Sequence, residues 1–101
     1  LAHSGNIANS ERIAYMVEDQ IKNRAQRKSR GVKTKGLAVL YQSTMPAILV
    51  ETGFLTNPAE QRYLTDDEGQ NLMASAIYRA IKQYKKEQDE NYSLQANSAN
   101  D

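Results

Sequence analysis

The run Pro46-Ala47-Ile48-Leu49-Val50-Glu51-Thr52-Gly53-Phe54-Leu55-Thr56-Asn57-Pro58 constrains this chain more than any other stretch. Four apolar residues deliver a lone carboxylate, Glu51, to the point where the chain must turn. A short apolar run bounded by proline and glycine predicts a buried strand over residues 47–50. Ligands of open α/β sheets bind just beyond the carboxyl ends of such strands, which makes Glu51 the first candidate for chemistry. A carboxylate that merely caps or ion-pairs at a strand end is the plainer alternative. The local pattern leaves both open.

A turn and a helix start come directly after Glu51. Gly53 permits positive φ or a close backbone approach. Asn57 reads as an N-cap, with Pro58 at the first helical position and Glu60 three residues after the cap. A short helix is predicted over residues 58–64.

Elsewhere the pattern is mostly helical. Ile13, Ala14, Val17, Ile21 and Ala25 recur at helical spacing after Asn9 or Ser10 as caps. Gly31 and Gly36 punctuate the next stretch, and residues 37–41 read as another strand. Thr65 with Asp66, Asp67 and Glu68 predicts a capping-box start with acids in the first turn, where the helix dipole favours them. Leu72, Met73, Ala76, Ile77, Ala80, Ile81 and Tyr84 then form an apolar stripe. Residues 88–101 are polar, with little to bury, and are expected to be a disordered tail. Two strands do not make an independent sheet, so other strands must come from another segment or another copy of the chain.

Composition excludes several classes. The 101 residues amount to one domain or part of one. Thirteen basic residues nearly cancel twelve acidic ones, leaving a formal charge of +1. No apolar run approaches the ~20 residues that span a membrane. The absence of cysteine removes disulfides and thiolate metal sites. There is no signal peptide, and the chain starts at Leu1 without a methionine, which predicts a longer parent.

Several strings occur together in one family order: Ser10-Glu11-Arg12-Ile13-Ala14, Arg30-Gly31-Val32-Lys33, residues 37–41, and Met45 through Asn57. In these the chain resembles the C-terminal half of the zinc-dependent N-acetylmuramoyl-L-alanine amidases, the hydrolases of bacterial cell walls. The resemblance covers about Ser10 to Lys86. It implies an α/β domain, a twisted and mostly parallel sheet flanked by helices, of which residues 1–87 supply the C-terminal part. Glu51 falls on the family's catalytic glutamate, and Gly53, Phe54 and Asn57 on the turn that supports it.

The implied reaction is hydrolysis of the amide between the lactyl group of N-acetylmuramic acid and L-alanine of the stem peptide. Zinc lowers the pKa of bound water to about 7 and polarises the carbonyl. A neighbouring carboxylate takes the water's proton and passes it to the departing amine, help typically worth ~10²–10⁴ in rate. The family's zinc is held by two histidines and a glutamate on more N-terminal strands. This sequence has one histidine, His3, upstream of the matched helix, and no ligand set can be assembled from it. No metal ligand is assigned here, zinc is expected to be held by the missing N-terminal half, and the chain alone is expected to be inactive.

From Lys22 to Lys35 there are seven basic residues and no acidic one. A solvated helix end is the plain reading. With no interleaved aromatic residue there is no platform for base stacking, so nucleic acid is not expected as a partner. Arg30 stands apart, since it lies in the Arg-Gly-Val-Lys string and is a candidate substrate contact. Tyr15, Tyr78 and Tyr84 read as core or rim of the helices. The expected function is therefore the glutamate-bearing half of a peptidoglycan amidase of the bacterial envelope, periplasmic or secreted. Its expected partners are peptidoglycan and the missing half or a second copy. The alternative is a non-enzymatic module that binds peptidoglycan or another anionic polymer.

Overall fold

The computed structural model describes residues 4–25, 27–33, 40 and 42–99. The helices with both ends among the described residues are α1 (Ser4–Asn23), α2 (Pro58–Thr65) and α3 (Asp67–Ala99). α1 packs along α3, and the short α2 packs against the start of α3. The core is the seam between the two long helices. Met16 and Val17 of α1 meet Ala80 of α3, with Ile13, Ile21, Ile77 and Tyr84 packed around them. Ala76 and Ala80 are fully buried, so small side chains at i and i+4 let the helices approach closely.

The predicted stripe on α3 is real but narrower than its sequence suggests. Met73, Ala76 and Ala80 are buried, whereas Leu72 and Ile81 are exposed. Likewise Tyr84 is half-buried in the seam, while Tyr15 and Tyr78 lie in solvent. α1 starts at Ser4, so Asn9 and Ser10 lie inside the helix rather than capping it. The Ser10 hydroxyl is engaged elsewhere, accepting the amide of Ala47 at 2.8 Å.

The expected α/β fold, a twisted mostly parallel sheet flanked by helices, is not what forms: among the described residues there is no strand. Residues 46–50 are an irregular segment laid against the helices. Ile48 and Val50 pack on the seam between α1 and α3, while Leu49 points out. A short apolar run reports only that the segment is buried, and a helical surface satisfies that demand as well as a neighbouring strand does. The other predicted strand, over residues 37–41, lies outside the described residues apart from Leu40.

α3 runs on through residues 88–99, the stretch that composition marks as a disordered tail. Residues 89–98 are exposed throughout, and the first of these turns carries an i,i+4 ion pair, Lys85 to Asp89 at 2.7 Å. Arg12 of α1 grips Glu87 through two guanidinium nitrogens, at 2.9 and 3.1 Å. No helix among the described residues is long and apolar enough to cross a membrane.

Candidate active site

Glu51 stands at the end of the segment that Ile48 and Val50 fasten to the core. Its side chain is exposed, and among the described residues it makes no hydrogen bond or ion pair. A carboxylate that spends none of its lone pairs locally is available to a proton or a substrate.

The turn after Glu51 is held from the α2 side. Gly53 has φ +153°, and a Cβ there would come within 3.2 Å of Leu64 Cδ1 and 3.5 Å of Glu60 Cβ. The Asn57 amide donates to the Phe54 carbonyl at 3.0 Å, closing the turn. Asn57 then caps α2 as predicted, its side-chain oxygen accepting from the amides of Ala59 and Glu60 at 3.0 and 3.2 Å.

Glu60 departs from the capping box. In that motif the glutamate reaches back to the amide of the cap residue. The Asn57 amide is already committed to Phe54, so Glu60 reaches further. Its Oε2 accepts the Phe54 amide at 2.9 Å, while Oε1 accepts from Arg30 at 2.6 Å. Arg30 in turn lies over the Phe54 ring, 4.5 Å from its centroid. The three residues form a closed clamp. The Phe54 amide first, and then the Arg30 guanidinium, hold the Glu60 carboxyl below its usual range.

The basic run after α1 is thus more than a solvated helix end. Arg27 sits 4.2 Å over the Tyr63 ring, and Arg30 over Phe54, so the fold supplies the aromatic partners that the run itself lacks. Gly31, at φ +90°, turns the chain after Arg30, and Ser29 braces that turn by accepting the Gly31 amide and donating to Glu18. Arg30 is held against Phe54, three residues along the chain from Glu51. The clamp role of Glu60 and the stacking of Arg27 are not visible in the sequence pattern. The one available signal is the N-cap spacing, which places Glu60 beside the turn.

The donors of a zinc site are not assembled here. Among the described residues no group of three or more His, Asp or Glu side chains is placed to hold a metal ion. His3, the single histidine of the sequence, lies outside the described residues.

The chain belongs to the N-acetylmuramoyl-L-alanine amidase family, whose sequence model matches residues 1–83. It is similar to the germination-specific N-acetylmuramoyl-L-alanine amidase of Bacillus subtilis (strain 168), with 32% identity over 81 residues covering 79% of this chain and 34% of that protein. It is also similar to the N-acetylmuramoyl-L-alanine amidase LytC of the same organism, 34% identical over 77 residues, which cover 76% of this chain and 16% of LytC. The probable cell wall amidase LytH of Staphylococcus epidermidis (strain ATCC 35984) is 30% identical over 74 residues, 73% of this chain and 25% of that protein. The chain spans about a third or less of the length of these curated relatives. No solved structure matches it.

Proposed function

We propose that this chain is the glutamate-bearing part of a peptidoglycan amidase, acting on the bond between N-acetylmuramic acid and L-alanine of the stem peptide. The family membership supports the amidase class, and its named relatives support a bacterial cell envelope setting, periplasmic or secreted. One observation carries the catalytic reading: Glu51 is an exposed carboxylate without a partner among the described residues, at the end of a segment anchored to the core.

In the reaction, the Glu51 carboxylate accepts a proton from the attacking water as its oxygen adds to the amide carbonyl carbon. The carbon–nitrogen bond then breaks, and the same proton passes to the leaving amine of L-alanine. The products are a lactyl carboxylate and a free stem-peptide amine. Arg30 is the proposed substrate contact, because half of its side chain is exposed and Glu60 occupies one corner of its five-donor fork. Zinc is a property of the family, and among the described residues no donor set is placed to hold it. We assign its ligands to the N-terminal half of the catalytic domain. Met45, Leu49 and Leu55, which flank Glu51 in the sequence, are exposed and support a covering partner, either that half or a second copy of the chain.

The test is Glu51→Gln in the full-length protein. Glutamine keeps the size and most hydrogen bonding but cannot take the proton. Turnover on peptidoglycan is expected to fall by ~10² or more with the melting temperature unchanged. Near-wild-type turnover in a folded variant would end the assignment. The isolated chain is expected to be inactive and, in calorimetric titration, to bind zinc no more tightly than a surface histidine does.

A further inference from the structure

We infer that Glu60 is a positioning residue for Glu51: it fixes the direction in which the carboxylate leaves the turn by holding the Phe54 amide. The inference rests on the reading of Glu51 as the proton acceptor.

The geometry supplies the lever. Glu51 is held from behind by Ile48 and Val50, which pack on the seam of α1 and α3. Ahead of it, the next backbone fixture is the Phe54 amide, bound to Glu60 Oε2 at 2.9 Å. Only Thr52 and Gly53 lie between. Gly53 is the residue type with the widest conformational range, so the bond to the Phe54 amide just beyond it sets how the chain leaves Glu51, while the Asn57 amide closes the far side of the turn on the Phe54 carbonyl at 3.0 Å. Glu60 is itself rigid. It lies in the first turn of α2, its side chain is only 13% exposed, and Arg30 grips its other oxygen at 2.6 Å. Arg30 is stacked on the ring of Phe54, so the clamp closes on the residue whose amide it holds.

A plain stabilising role is distinguishable from this one. Loss of a merely structural bond lowers the melting temperature and leaves turnover per folded molecule alone. Loss of a positioning bond lowers kcat while KM changes little, because a displacement near 1 Å at the reacting group costs up to about 10²-fold in rate. The side-chain chemistry also predicts a rescue. Glutamine at position 60 still offers a carbonyl oxygen to the Phe54 amide, whereas aspartate withdraws its carboxylate by one methylene and alanine removes it.

The experiment uses the full-length protein on peptidoglycan, assayed well below the melting temperature of every variant. Glu60→Ala and Glu60→Asp are each expected to lower kcat at least about tenfold with KM within about threefold. Glu60→Gln is expected to restore kcat to within about threefold of wild type. In a Glu51→Gln background, Glu60→Ala is expected to add no further loss, since the group it positions no longer works. Should Glu60→Ala fail to fold, the comparison of Glu60→Asp with Glu60→Gln decides by itself. Wild-type kcat in folded Glu60→Asp, or equal losses in Glu60→Gln and Glu60→Asp, would overturn the positioning role while leaving Glu51 untouched. Wild-type turnover in Glu51→Gln would instead overturn the reading of Glu51 beneath it.

Discussion

The hydroxyl of Ser10, in the second turn of α1, accepts the backbone amide of Ala47 at 2.8 Å across 37 residues of sequence. This bond ties the segment that delivers Glu51 to α1. The fastening is completed by Ile48 and Val50 on the seam. A segment without a ladder of strand partners must satisfy its polar groups by other means, and Ser10 satisfies the first of them.

Ser10→Ala should therefore destabilise the protein. The Ala47 amide is half-buried and would lose its acceptor, at a cost of about 1–3 kcal/mol. Ser10→Thr keeps the hydroxyl and should cost less. Chemical denaturation of the two variants checks the order. Equal stability of Ser10→Ala and wild type would show that water replaces the bond.

Glycine substitutions should separate three different constraints. Alanine normally stabilises a helix relative to glycine by about 0.5–1 kcal/mol. At Gly69, in the first turn of α3, a Cβ would overlap the carbonyl oxygen of Tyr63, so Gly69→Ala is expected to destabilise instead. Gly31→Ala meets open space and bears only the left-handed backbone, about 1–2 kcal/mol. Gly53→Ala combines an unfavourable φ with contacts to Leu64 and Glu60. Melting temperatures should rank Gly31→Ala above the other two. A stabilised Gly69→Ala would contradict the close fit of α2 on α3.

Helices are legible in this sequence because their signals are local. The Asn57 cap, the proline after it and the apolar spacing of Ile13, Val17 and Ile21 each report on a few neighbouring residues. The start of α1 is misplaced by the sequence pattern because Ser10 looks like a cap, and only the distant Ala47 amide shows what its hydroxyl binds. Residues 47–50 mislead for a related reason. A continuous apolar run bounded by proline and glycine says that the segment is buried, but not whether a sheet or a pair of helices receives it. In the site, Glu51 and Arg30 stand out through the family resemblance. The clamp through Glu60 is hidden because it depends on Asn57 spending its own amide on Phe54, which no spacing rule encodes.

The final turns of α3 should be dispensable for stability. Residues 89–98 are exposed, and among the described residues the ion pair of Asp89 with Lys85 is the one side-chain link in this stretch. Exposed pairs of this kind contribute little. Ending the chain after Gln88 should remove helical circular dichroism for about three turns. The stability should stay within about 0.5 kcal/mol of wild type. A larger loss would reveal packing of that helical end against the rest of the protein.

Acid should weaken the protein through two identified carboxylates. The Phe54 amide and Arg30 hold Glu60 below the ordinary value of 4.5, and the Arg12 hydrogen bond holds Glu87 below it. A group whose folded pKa is depressed contributes stability that is fully present above its unfolded pKa and is lost as pH falls through the folded one. Both contributions should thus be constant from pH 7 to about 5 and disappear below 4.5. Glu60→Gln and Glu87→Gln should each melt below wild type at pH 7, and the gap should close as pH falls through the depressed folded-state pKa of each group. The other carboxylates of the protein contribute equally to all three curves and cancel in the differences. A gap that stays constant across this whole range would mean that the charge of these two side chains does not stabilise the fold.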